Sequence, residues 1–92
     1  MEDEDRGTGR TTRQIKEAPE NAVFVWVNSD ASYPRRLARD LGRSDIKVVS
    51  PWWLEDRAYR GSRVKVVIDH AISYNDSRSR AVAELYAHGM LA

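Results

Sequence analysis

Cysteine is absent from this 92-residue chain, so no disulfide framework and no thiolate zinc site can be built. That absence fits a reducing, intracellular setting. No apolar run approaches the roughly 20 residues needed to span a bilayer. The acidic start, with Glu2, Asp3, Glu4 and Asp5, argues against a signal peptide and for a cytoplasmic location. Strong charge of one sign is missing too. The formal net charge is +1, with six acids against four bases in residues 1–20 and a surplus of +3 over the remainder. That is mild for a dedicated nucleic-acid binder. Histidine occurs twice, at His70 and His88, too far apart in the chain to propose a metal site. A chain this short buries only about 60–65% of its unfolded surface, so a ligand or a partner chain would contribute usefully to stability.

What is present alternates between helical and extended patterns. Residues 1–8 read as a charged tail, and 9–92 as a single α/β domain. Thr11 or Thr12 can cap a short helix through Ile15, which Pro19 stops. Residues 22–27 (Ala-Val-Phe-Val-Trp-Val) are apolar without alternation, the pattern of a central parallel strand. Asn28-Ser29-Asp30 breaks that run, and Ser32 caps a helix to Leu41 with Gly42 behind it. Residues 46–49 form a second strand, and Ser50-Pro51 opens a helix expected to reach Gly61. Residues 64–68 form a third strand, expected to be buried on both faces. A polar loop at 73–77 leads to a last helix at about 78–88, with Val82 and Leu85 inward. Helix-length connections between the strands predict a small parallel sheet of about three strands with helices on both faces.

Two motifs carry chemistry. Gly7-Thr8-Gly9-Arg10-Thr11-Thr12 heads the first helix, where a glycine turn can hold phosphate on unsatisfied N–H groups and the helix dipole. The run Val-Lys-Val-Val-Ile-Asp at 64–69 ends a buried strand in an acid, the position from which α/β nucleotide proteins hold magnesium. Aligned on Gly9, a P-loop (Gly-x-x-x-x-Gly-Lys-Ser/Thr) sets Arg10 at the lysine and Thr11 at the metal-binding hydroxyl, with Glu4 at the first glycine.

Four landmarks follow in order: Gly-Arg-Thr-Thr at 9–12, Val-Asn-Ser-Asp at 27–30, Val-Val-Ser-Pro at 48–51 and Val-Val-Ile-Asp-His at 66–70. Their order and spacing resemble a compressed helicase-type P-loop ATPase domain, and are similar to the small P-loop proteins of actinobacterial bacteriophages. The resemblance covers roughly residues 7–72. It implies ATP or GTP with Mg²⁺ as cofactor, Gly7, Gly9, Arg10, Thr11 and Thr12 on the nucleotide, and Asp69 on the metal. It implies a nucleic-acid face at Asn28, Ser29, Ser50 and Pro51. Glu4, Arg10 in place of lysine, His70 in place of a second acid and the lack of a preceding strand imply binding with little or no hydrolysis.

Two surface features point elsewhere. Arg35, Arg39 and Arg43, four apart, form a basic stripe that could meet phosphates. Trp52 and Trp53 are neighbours on a helix and point about 100° apart, so one should enter the core and the other remain outside. An outer Trp fits a homodimer or a host protein as partner, or, less well, the stacking of nucleic-acid bases.

Overall fold

A computed structural model describes residues 9–92. The charged tail at 1–8, with Gly7 and Glu4, lies outside the described residues. Helices and strands alternate as α1 (Arg10–Glu17), β1 (Val23–Val25), α2 (Ser32–Asp40), β2 (Lys47–Val49), α3 (Trp52–Glu55), β3 (Val66–Ile68) and α4 (Asp76–Ala87). The three strands form one parallel sheet in the order β2-β1-β3, with Val23 opposite both Lys47 and Val66. The expected small parallel sheet, helices on both faces included, is what the chain forms.

Strand position explains the apolar patterns. β1 is central, and all three of its residues are buried. Val23 and Val25 face one core with Val49, Leu54, Tyr59, Val66, Ala81 and Leu85, from the α3 and α4 side. Phe24 faces the other with Ile15, Ala38, Ile46 and Val48, from the α1 and α2 side. β3 differs from expectation. It starts at Val66, not 64, and Val67 and Ile68 are only half-buried. The reason is topological: β3 has β1 on one side and only a short pairing of Val66 with Leu91 on the other.

Helix ends account for the remaining differences. α1 starts at Arg10 behind Gly9, so Thr11 and Thr12 lie inside its first turn and do not cap it. α4 starts at Asp76, because the Asn75 side chain accepts a bond from Arg78 N at 2.8 Å. The largest difference is α3, four residues long where a helix to Gly61 was expected. It closes with Ala58 N bonding Trp53 O (3.1 Å) and Arg57 N bonding Leu54 O (3.0 Å), a Schellman ending with Arg57 in the left-handed position at φ 56°. The same pair of bonds ends α2 at Gly42 and α4 at Gly89. Glycine announces those two in the sequence. Arginine, which enters that conformation at a cost of about 1–2 kcal/mol, does not.

Candidate functional site

The carboxyl ends of all three strands face one edge of the molecule. In parallel α/β sheets, ligands bind outside that edge, at the point where the strand order reverses. Here the chain steps from β1 outward to β2, then back across β1 to β3, so the reversal falls between β1 and β3. Asp69 follows β3 directly, and its N–H bonds Val25 O at 2.9 Å, tying the two strand ends together.

The acid is 2% exposed. Its Oδ1 accepts from the Thr11 hydroxyl at 3.2 Å and its Oδ2 from Ala71 N at 3.0 Å, with His70 Nδ1 3.6 Å from Oδ1. Residues 58 apart in sequence are thus in contact. α1 makes this contact because Thr11, Ile15 and Ala18 form one buried stripe against the sheet. Ile15 sits in the core and Thr11, one turn earlier, reaches the strand ends. The first turn of α1 opens with Gly9 at φ 70°, which brings no capping side chain, and Arg13 N bonds Gly9 O at 2.9 Å. The N–H groups of that turn therefore point at the same edge as Asp69. A groove of about 330 Å³ runs beside it, lined by Gly9, Thr12, Arg13, Lys16 and Glu17. Arg10 is exposed, and Thr12 is half-buried.

A buried carboxylate beside a hydroxyl suits Mg²⁺, which is commonly held by one or two carboxylates together with water and substrate phosphates. Among the described residues, no three His, Asp or Glu side chains group into a cage of their own. Asn28 and Ser29 are exposed on the loop after β1, and Asn28 Oδ1 accepts from Asp30 N at 3.1 Å. Ser50 and Pro51 follow β2 at the same edge. Asp30 in turn accepts from both the N–H and the hydroxyl of Ser32, bonds that hold its carboxyl below the usual carboxylate range.

The arginines of the stripe, Arg35, Arg39 and Arg43, line one groove of about 430 Å³ together with Lys47, but they are not equivalent. Arg35 is exposed and reaches Val48 O at 3.3 Å, and Arg39 is exposed beside Asp40. Arg43 lies beyond the end of α2 and is taken up by the fold. Its guanidinium forks onto Asp45 (3.1 Å to each oxygen) and bonds the carbonyls of Ile15, Lys16, Ala18 and Pro19 at 2.9–3.2 Å. Of these carbonyls, Ile15 and Pro19 also accept from Ala18 N and Ala22 N. Arg43 adds its bonds to theirs and to Lys16 and Ala18, so that it clamps the end of α1.

The Trp pair divides as the helix geometry requires. Trp53 is half-buried against the core, 5.8 Å from the Tyr59 ring, and Trp52 is 64% exposed.

Sequence reading missed three groups. Gln14 bonds the Ile68–His70 segment through both atoms of its carboxamide. Tyr59, buried at the amino end of the sheet, donates to Glu84, which also meets Arg60 (3.0 Å) and Arg57 (3.5 Å). Asp45 partners Arg43. Of these, only the Arg43–Asp45 spacing leaves a local signal in the sequence.

No helix among the described residues is long and apolar enough to cross a membrane. No family model, curated protein or solved structure matches this chain.

Proposed function

We propose that this chain binds a nucleotide, ATP or GTP with Mg²⁺, at the carboxyl edge above β1 and β3, with little or no hydrolysis. One observation carries the reading: the hydroxyl of Thr11 meets the buried carboxylate of Asp69 at 3.2 Å. In the P-loop pattern, these are the side chains that share the metal. The uncapped first turn of α1 supplies N–H groups for phosphate, and Arg10 supplies a cation in reach of a terminal phosphate. Bound Mg²⁺ would neutralise phosphate charge and bridge it to the protein. Thr11 and Asp69 would hold it, and the backbone at 9–12 would orient the phosphates. His70 stands where a second carboxylate would act as base, and an imidazole does not reproduce that role, so turnover is weak or absent.

The test is a titration with ATP, GTP and single-stranded DNA, with and without Mg²⁺, followed by backbone amide shifts. Saturable shifts at 9–12 and 69–71 that need Mg²⁺ support the reading. Arg10→Ala should weaken binding, and Asp69→Asn should mainly remove the Mg²⁺ dependence. No saturable binding at millimolar nucleotide would overturn it.

The exposure of Trp52 favours a second reading, an interaction module that forms a homodimer or binds a host protein. A dimer-sized hydrodynamic radius that Trp52→Ala reduces to monomer size, with no nucleotide shifts, would select it. Shifts around Arg35, Arg39 and Trp52 on adding DNA would point to nucleic acid.

A further inference from the structure

The outer edge of β3 is closed by two different things. Toward its amino end, Val66 N bonds Met90 O at 2.8 Å and Ala92 N bonds Val66 O at 3.0 Å, an ordinary parallel bridge to Leu91. Two residues on, the partner is a side chain. Gln14 Nε2 donates to Ile68 O at 2.9 Å, and Gln14 Oε1 accepts from His70 N at 3.0 Å. His70 Nδ1 also lies 3.2 Å from Gln14 Oε1. In a parallel ladder, a residue opposite position 69 would donate to the carbonyl of 68 and accept from the N–H of 70. The carboxamide of Gln14 makes both of those bonds, and so imitates a strand residue opposite Asp69.

We propose that Gln14 is a positioning residue of the nucleotide site: it locks α1 to the Asp69 peptide and thereby sets the distance between Thr11 and Asp69. This rests on the nucleotide reading above. Thr11 and Gln14 are three residues apart and share one face of α1. Thr11 touches the side chain of Asp69, and Gln14 holds the backbone on either side of it. With the two contacts in place, the phosphate-facing turn and the metal-facing acid move as one body. Without Gln14, the outer edge at Ile68 and His70 is left to water, and the Thr11–Asp69 contact depends on the packing of Ile15 and Ala18 and on the Arg43 clamp at the far end of α1.

The experiment compares wild type with Gln14→Leu, which removes both polar atoms, and Gln14→Glu, which keeps the acceptor for His70 N and loses the donor to Ile68 O. Amide hydrogen exchange reports the lock, with the amides of Phe24 and Val25 as a check that the sheet is intact. Calorimetry with ATP, with and without Mg²⁺, reports the site. The expected result for Gln14→Leu is His70 exchange faster by roughly tenfold, the loss of about one hydrogen bond's worth of protection. Phe24 and Val25 should be unchanged, and ATP affinity should fall more with Mg²⁺ than without it. Gln14→Glu should protect His70 better than Gln14→Leu does. If Gln14→Leu leaves His70 exchange as in wild type, the lock does not exist. If exchange rises and Mg²⁺–ATP affinity stays the same, the lock exists but does not position the site. Wild-type protein that binds no Mg²⁺–ATP overturns the nucleotide reading, and the positioning role with it. That result is distinct from wild-type binding that survives Gln14→Leu, which overturns the positioning role alone.

Discussion

The two ends of the sheet treat charge differently. At the amino end, ionised groups meet ionised groups: Arg43 forks onto Asp45, and Glu84 gathers Arg57, Arg60 and the Tyr59 hydroxyl. At the carboxyl end, Asp69 is almost wholly enclosed, and it accepts from a threonine hydroxyl and a backbone N–H. The amino-end carboxylates are already engaged by guanidinium groups, and Arg43 also takes up carbonyls at the end of α1. An open groove of about 590 Å³ lined by Tyr59, Arg60, Lys65, Glu84 and His88 lies beside the Glu84 network. A hydroxyl can turn away from a carboxylate and offer its oxygen to a metal, which an arginine fork cannot do. The amino end thus holds its carboxylates with arginine, and the carboxyl end holds Asp69 with a hydroxyl and a backbone N–H, His70 Nδ1 standing 3.6 Å away.

The largest expected effect lies at the amino end. Tyr59 is 1% exposed, and Tyr59→Ala should cost about 4 kcal/mol in urea unfolding, from lost packing against Trp53 and the sheet. Tyr59→Phe should cost only about 1 kcal/mol, since Glu84 keeps its arginines. If Tyr59→Phe proved as damaging as Tyr59→Ala, the network and not the packing would be what stabilises this end. Arg43→Ala should lower the melting temperature clearly, by releasing the end of α1 from Asp45. Arg43→Lys should restore little of it, because one ammonium cannot span Asp45 and the α1 carbonyls together.

The same contrast sets the pH dependence. The fork from Arg43, with a bond from Asn21 N, lowers the Asp45 pKa from 3.8 to about 2. Its contribution is complete above the unfolded value near 4, and declines as pH falls from there toward 2. Burial, then the Glu84 carboxylate, push the Tyr59 phenol up to about 12. That contribution is complete below pH 10 and is lost as pH rises from 10 to 12. Thermal melts across pH should therefore fall at both extremes, and Asp45→Asn should flatten the acid arm. Glu84, also held below its ordinary value by Tyr59 and Arg60, leaves part of that arm in place.

The smallest effect on stability belongs to the carboxyl end. Asp69→Asn keeps an acceptor for Ala71 N and offers a donor to the Thr11 oxygen, so it should cost under about 1 kcal/mol. A loss as large as that of Tyr59→Ala would make Asp69 a pillar of the fold and erase the distinction between the two ends.

Much of the architecture is legible in the chain, for reasons that can be named. The unbroken apolar run at 22–27 announces a strand covered on both faces, and β1 is that strand. Glycines after the second and last helices mark their ends in the residue they require. Arg57 hides the end of α3, because nothing in an arginine signals left-handed backbone. It is held there by contacts with Ser77 and Glu84, twenty or more residues later. Arg43 reads as one of three arginines at helical spacing, since Gly42 does not tell where its side chain goes. Thr11 and Asp69 were each recognisable as a residue type in a motif. Gln14, one polar residue among many on a charged helix, could be found only once α1 lay against β3.

The contacts of α1 with the end of β3 also order events in time. Thr11 and Gln14 meet partners 54 to 58 residues later in the chain. Closing loops of that length comes late and at an entropic cost, whereas the helices form locally and early. During synthesis, the first turn of α1 has no Asp69 to face until residue 70 has emerged and β3 has joined the sheet. The carboxyl edge is therefore completed only once β3 has joined the sheet, and it is lost when β3 peels away from β1. A ligand that bridges Thr11 and Asp69 would act on that step, slowing the opening of β3 more than the melting of any single helix.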